Sequence, residues 1–118
     1  MLDEKDHDTI EALRTVGVKR NVATIIIYLK DLDETPSRDI EKGSGLRQPE
    51  VSIAMRTLRQ KGWIAEREVK GTGKGRPTRL YRLTMPIEDI IGHYEEEKRK
   101  ESSQAMQSIQ RLKEISAT

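Results

Sequence analysis

The sequence predicts a mainly α fold with a small β-hairpin (α+β), followed by one long C-terminal helix. Two observations predict the fold class. Apolar residues recur every three or four positions through most of the 118 residues, which is the spacing of helices that bury one face. The spacing changes to two on both sides of a glycine-rich segment at residues 71–77, and this pattern is typical of an antiparallel hairpin.

Two helices are predicted in the first third of the chain. Asp8 followed three residues later by Glu11 has the spacing of a capping box, so a short helix is expected from there through Val16. A second helix is predicted over residues 19–32. The run at residues 25–28 could also form a strand, but length and periodicity favour the helix. Its expected core-facing residues are Val22, Ile25, Ile26, Leu29 and Leu32.

A short helix, a tight turn and a further helix are expected next. Ser37 is the predicted N-cap of the short helix, which the glycines at positions 43 and 45 should end. The following helix is predicted over about residues 47–61, with Pro49 in its first turn, where a missing N–H is tolerated. The expected buried face of this helix contains Val51, Ala54, Met55 and Leu58.

The alternating segments at residues 63–70 and 78–83 are predicted to be two antiparallel strands, with Trp63 as the core anchor of the first. Pro86 should open a final helix that continues to about Ser116. At 1.5 Å per residue such a helix is ~45 Å long, so it must extend beyond a domain of this size. This order of elements predicts a winged helix-turn-helix over residues 18–84. An N-terminal packing or dimerisation helix (residues 1–17) and a long C-terminal helix (residues 85–118) flank it.

The segment from Ile40 to Ile64 resembles the helix-turn-helix of MarR-like, ArsR-like and archaeal TrmB-like transcriptional regulators. The matching residues are Leu46, Gln48, Pro49, Val51, Ser52, Ala54, Met55, Leu58 and Gly62. The resemblance extends through the hairpin to Leu83 and implies a sequence-reading helix in the major groove of DNA and a wing beside it. Arg47 departs from the family pattern, because a serine or threonine N-cap is usual there.

Charge is strongly segregated along the chain. Residues 47–82 contain ten basic and three acidic side chains, a net charge of +7, whereas the whole chain carries +2, so the remainder carries −5. A basic segment between acidic flanks is typical of a surface that binds a polyanion.

These features predict sequence-specific binding of double-stranded DNA by a transcriptional regulator. The helix at about residues 47–61 should enter the major groove, and the wing at residues 70–79 should contact the backbone or the minor groove. The expected base-reading residues are Gln48, Ser52 and Arg56; the expected phosphate contacts are Arg47, Arg59, Lys74 and Arg79. Arg76, between Gly75 and Pro77, should enter the minor groove, with Lys70 in the same basic cluster.

Other functions find little support in the residues. There is no cysteine, and His7 and His93 are isolated, so neither a thiolate nor a histidine metal site is expected. No nucleophile has a neighbouring base, so we expect no enzyme, no catalytic residue and no cofactor. The absence of a long apolar run or leader-like start predicts a cytoplasmic protein with no membrane contact.

The final helix is apolar at both ends and polar in its middle, which predicts a loose coiled-coil pairing of two subunits. A homodimer through this helix, either alone or together with the N-terminal helix, would present two reading helices to palindromic half-sites. Two alternatives remain open: a winged-helix module that binds protein, and a sequence-tolerant chromatin-type DNA-binding protein.

Overall fold

The computed structural model describes residues 2–71 and 75–118. Within these ranges the chain forms five helices and three strands, which confirms the predicted mainly α fold with a small hairpin. The helices are α1 (Glu4–Thr15), α2 (Arg20–Leu29), α3 (Ser37–Ser44), α4 (Gln48–Lys61) and α5 (Ile87–Ser116). The described residues divide into two compact units, one ending at Ile87 and the other comprising Glu88–Thr118.

The strands form one antiparallel sheet in the first unit. Strands β2 (Ile64–Val69) and β3 (Thr78–Leu83) are the two predicted hairpin strands, paired from Ile64 opposite Leu83 to Val69 opposite Thr78. Strand β1 (Thr35–Pro36) pairs with the other side of β3, so the sheet order is β1-β3-β2. The sequence prediction omitted β1, because two residues are too few to show a period.

The core of this unit is built from the predicted apolar stripes. Ile25, Ile26 and Leu29 of α2 are fully buried, as are Ile40 of α3 and Leu58 of α4. The remaining predicted stripe residues of α2 and α4 are also nearly inaccessible: Val22, Val51, Ala54 and Met55. Trp63 is 4% exposed and anchors the start of the sheet, as predicted, with the Lys61 ammonium 5.2 Å from its ring centre. The burial of these side chains holds α3, α4 and the hairpin in one rigid arrangement.

Three predicted element ends were wrong. Helix α1 begins at Glu4, because Asp3 and Asp6 form the capping box that was assigned to Asp8 and Glu11. Helix α2 ends at Leu29, which leaves Leu32 outside the helix and 44% exposed. The N-cap position of α3 is Pro36 rather than Ser37, because the chain enters this helix directly from β1.

The ends of α3 and α4 each depend on a glycine with a positive φ. Gly45 (φ 74°) and Gly62 (φ 75°) adopt the left-handed conformation that terminates a helix and that is unfavourable for residues with a Cβ atom. Gly43 has a different role inside α3. A Cβ atom at this position would lie 2.1 Å from the Tyr28 ring, so glycine permits α2 and α3 to approach closely.

Helix α5 supplies the second unit and ends at the predicted Ser116. Glu95 and Arg99, four residues apart on this helix, lie 3.9 Å apart, and Arg99 also contacts Glu96 at 3.1 Å. From residue 95 to the end of the chain every residue is exposed. Over the parts of the chain that the structure describes, no helix has both the length and the apolar character that crossing a membrane requires.

Candidate nucleic-acid interface

The outward face of α4 is polar because the apolar residues of this helix are used in the core. Gln48, Ser52, Arg56 and Arg59 recur at four, four and three residues and are all exposed. This spacing places the four side chains on one side of the helix. Ile53 lies next to them and is 63% exposed, a large apolar side chain on an otherwise polar surface.

The start of α4 is capped by a residue inside the helix. Arg47 cannot accept a backbone hydrogen bond, but its own N–H donates to Glu50 Oε1 at 2.9 Å. This bond lowers the pKa of the Glu50 carboxyl, with a further contribution from the Arg47 charge. The Arg47 side chain, whose Nε lies 3.5 Å from Glu50 Oε1, remains 87% exposed at the N-cap of α4. An arginine therefore occupies the cap position without leaving the helix start uncapped.

An acidic residue of the hairpin connects α4 to β3. Glu66 lies 3.5 Å from Arg59 of α4 and 3.5 Å from Arg79 of β3, while Glu68 lies 3.3 Å from Arg79. The pKa of Arg79 is raised, first by the Tyr81 hydroxyl beside it and then by these carboxylates. Two of the predicted phosphate-binding arginines are thus held at the junction of helix and hairpin by one carboxylate.

The basic residues near the hairpin tip are arranged differently. Lys70 and Arg76 are exposed at the ends of β2 and β3, beside Gly71 and Gly75. Within residues 2–71 and 75–118, no carboxylate lies within ion-pair distance of Lys70, Arg76 or Arg56. Lys74, another predicted phosphate contact, lies outside the described residues.

A groove of about 480 Å³ runs between α3, α4 and β3. Its wall contains polar and basic side chains from all three elements, among them Arg38, Gln48, Ser52, Arg59 and Arg79. Arg38, in the first turn of α3, was missed in the sequence prediction. No pattern in the sequence clearly indicated it, because Arg38 is placed near the sheet by the pairing of β1 with β3, which was not predicted.

Arg67 was also left without a role in the sequence prediction. It lies on β2 and forms a two-point ion pair with Glu34, in which Arg67 Nη2 donates to Glu34 Oε1 at 2.8 Å and Nε donates to Oε2. This pair lowers the pKa of the Glu34 carboxyl. It ties the loop before β1 to the edge strand of the sheet, and so it removes one basic side chain from the surface available to a polyanion.

Solved structures with the same arrangement are found among bacterial regulators. A PadR family transcription regulator from Clostridium difficile matches with a TM-score of 0.50 and 16% identity, over 75% of this chain and 97% of that one. A MarR family regulator from Neisseria meningitidis matches with a TM-score of 0.51 and 16% identity, over 92% and 83% of the two chains. The chain has a winged-helix fold. In this fold α3 and α4 form the helix-turn-helix, and the β2–β3 hairpin is the wing.

A third winged-helix protein, S. aureus MepR in its DNA-binding conformation, matches with a TM-score of 0.51 and 19% identity, over 86% of this chain and 76% of that one. The sequence itself matches no protein-family model and no curated protein. At identities of 16–19% the similarity establishes the fold of the chain. The function must be argued from the side chains of its surface.

Proposed function

We propose that this protein binds double-stranded DNA as a transcriptional regulator, with α4 in the major groove and the wing on the flanking backbone and minor groove. The observation that carries the proposal is the exposed face of α4, which continues across the groove into the basic wing. A helix whose apolar side is buried and whose other side is polar and basic has the shape and chemistry that the major groove accepts.

The proposed roles follow from position. Gln48, Ser52 and Arg56 lie on the exposed face of α4 and contact base edges. Arg56 has no carboxylate partner among the described residues, so its guanidinium is available for a guanine, the base that arginine contacts most often.

The remaining basic residues contact the backbone. Arg47 extends from the start of α4 towards one DNA strand, and Arg59 and Arg79 contact phosphates near the junction of helix and wing. Lys74 is a further proposed phosphate contact. Arg76, next to Lys70, enters the minor groove, where a narrow groove concentrates negative potential.

The structural neighbours support this proposal by their descriptions. The PadR family protein is described as a transcription regulator and the MarR family protein as a regulator. MepR is described in a DNA-binding conformation. The rival proposal, a protein-binding winged helix, would leave the +7 charge of residues 47–82 without a function. A polyanion partner explains this charge directly.

We further propose that the protein acts as a homodimer paired through the C-terminal half of α5. Four large apolar side chains there are 45–64% exposed: Met106, Ile109, Leu112 and Ile115. At three-residue spacing Ile109, Leu112 and Ile115 span about a third of the helix circumference, so a second copy can cover these three side chains by two-fold symmetry. Two-fold pairing also gives two reading helices for half-sites about 34 Å apart.

Salt-titrated binding to a random DNA duplex tests the DNA proposal. A protein that neutralises several phosphates loses about 0.9 log units of affinity per phosphate for each log unit of salt. We expect a steep slope, and absence of binding at low salt would contradict the proposal. A chromatin-type protein would bind every sequence equally, so Arg56→Ala should relax sequence preference in a regulator, while Lys74→Ala should weaken binding to all sequences alike.

The dimer is tested separately by light scattering on the full chain. Leu112→Glu combined with Ile109→Glu should convert the dimer to a monomer. Gln107→Glu, which adds charge to the opposite face of the same turns, should leave the dimer intact. A wild-type protein that is monomeric at all accessible concentrations would contradict the pairing without affecting the DNA proposal.

A further inference from the structure

We infer that Gln48 recognises adenine and that Ser52 acts as the positioning residue that orients it. The inference rests on the proposed DNA binding and goes beyond it, because it names the base that one position of the site requires. It also changes the role of Ser52, from a residue that contacts a base to one that acts through its neighbour.

The observation is a hydrogen bond on the outward face of α4. Gln48 Nε2 donates to Ser52 Oγ at 2.9 Å, and both residues are exposed. Gln48 is the first residue of the helix, and Ser52 lies one turn later on the same side. In this arrangement the Nε2 end of the Gln48 amide faces Ser52. One N–H of the amide is occupied, while the second N–H and the carbonyl oxygen remain for a ligand.

Only one base edge in the major groove matches that remaining pair. Adenine presents an acceptor at N7 beside a donor at N6, so it can accept from the amide N–H and donate to the carbonyl oxygen. Guanine presents two acceptors, one of which would oppose the glutamine carbonyl. Cytosine presents a donor alone, and thymine an acceptor with a methyl group. A glutamine amide held in this orientation is therefore selective for adenine.

Ser52 contributes by restricting the amide. A free glutamine side chain samples several rotamers and carries its amide to different positions. The hydrogen bond to Ser52 Oγ holds the amide beside Ser52 before DNA arrives, so less conformational freedom is lost on binding.

The experiment begins with selection of bound duplexes from a random library by the full wild-type chain. We expect an adenine at one position of the selected site, and replacing that A·T pair by G·C should weaken binding by roughly tenfold. Gln48→Ala should remove that preference while binding persists. Gln60→Ala, which removes another exposed glutamine of α4, should leave the preference unchanged.

Ser52 is tested with a rescue pair. Ser52→Ala should reduce the adenine preference several-fold, although alanine is a better helix former and the fold should be preserved. Ser52→Thr keeps the accepting Oγ and should restore the preference. Gln48→Glu should shift the preferred base towards cytosine, because a carboxylate can only accept, and cytosine N4 donates.

The outcomes separate this inference from the broader proposal. Binding with no preference at any position that depends on Gln48 would overturn the adenine inference and leave the DNA proposal standing. A Ser52→Ala variant with the full wild-type preference would overturn the positioning role. Failure of the wild-type chain to bind any duplex at low salt would overturn the DNA proposal and this inference with it.

Discussion

Glu66 restrains two arginines that the DNA proposal assigns to phosphates, so removing its charge should strengthen DNA binding. The Glu66 carboxylate lies 3.5 Å from both Arg59 and Arg79. The two guanidinium groups are 44% and 53% exposed, and ion pairs this exposed contribute between about 0 and 1 kcal/mol each. Glu66 therefore competes with DNA phosphates for both guanidinium groups, so the wild-type complex makes these two phosphate contacts only in part. The Glu66→Gln variant removes this competition at a small cost in folding stability.

The expected size of the effect follows from counterion release. Each additional phosphate contact steepens the dependence of log affinity on log salt by about 0.9. Over a fourfold rise in salt, one additional contact multiplies the loss of affinity by about 3.5, and two contacts multiply it by about 12. Glu66→Gln should therefore bind more tightly than the wild type at low salt and show a steeper slope, by up to about 1.8 if both contacts are completed.

Fluorescence anisotropy of a labelled duplex, titrated with the full chain at several salt concentrations, measures this slope. Glu68→Gln should have a smaller effect, because Glu68 pairs only with Arg79 among the described residues. Glu11→Gln changes the net charge equally but removes a carboxylate that pairs with Arg14 in α1, so its slope should match the wild type. A Glu66→Gln slope equal to that of Glu11→Gln would refute the proposed role of Arg59 and Arg79.

Two further predictions concern the scaffold. Gly43→Ala should destabilise the protein by about 1–2 kcal/mol in chemical denaturation, since its Cβ atom would collide with the Tyr28 ring and overpacking outweighs the better helix propensity. At Gly92 an added Cβ atom meets nothing within 4 Å, so Gly92→Ala should be neutral or stabilising by up to about 1 kcal/mol. Equal effects of Gly43→Ala and Gly92→Ala on stability would contradict this packing argument. Arg67→Ala should raise the pKa of Glu34 towards its ordinary value, measured by NMR titration of the side chain. Because the pKa of Glu34 is lowered in the folded protein, the ion pair stabilises the fold at pH values above the ordinary pKa of a glutamate. The difference in stability between the wild type and Arg67→Ala should therefore vanish as the pH falls through the folded pKa of Glu34. A difference that does not change with pH would show that the ion pair is not responsible.

The sequence predicted the elements that have a long regular pattern. The buried face of α4, both hairpin strands and the end of α5 were all correctly placed, because each carries several apolar residues at a fixed spacing. The short and locally ambiguous features were not predicted. Strand β1 exists through its pairing with β3, and α1 begins after Asp3 because the Asp3 and Asp6 side chains accept each other's backbone N–H groups.

The sequence predicted the polar and basic face of α4, but it did not predict the ion pairs that these side chains form. Exposure of the basic face of α4 follows from burial of its apolar side. By contrast, Glu66 approaches Arg59 and Arg79 from another element, and a count of charges along the chain cannot show this contact. The hydrogen bond between Gln48 and Ser52 could have been predicted from the sequence, because residues four apart on a helix are neighbours.

The central claim is that the exposed face of α4 and the wing together contact duplex DNA. Backbone amide NMR of the full chain, titrated with an unlabelled duplex at low salt, tests it residue by residue. We predict shifts concentrated at residues 47–60 and around Lys70, Arg76 and Arg79, with little change at the C-terminal half of α5. Shifts confined to α5, or no shifts anywhere, would contradict the claim.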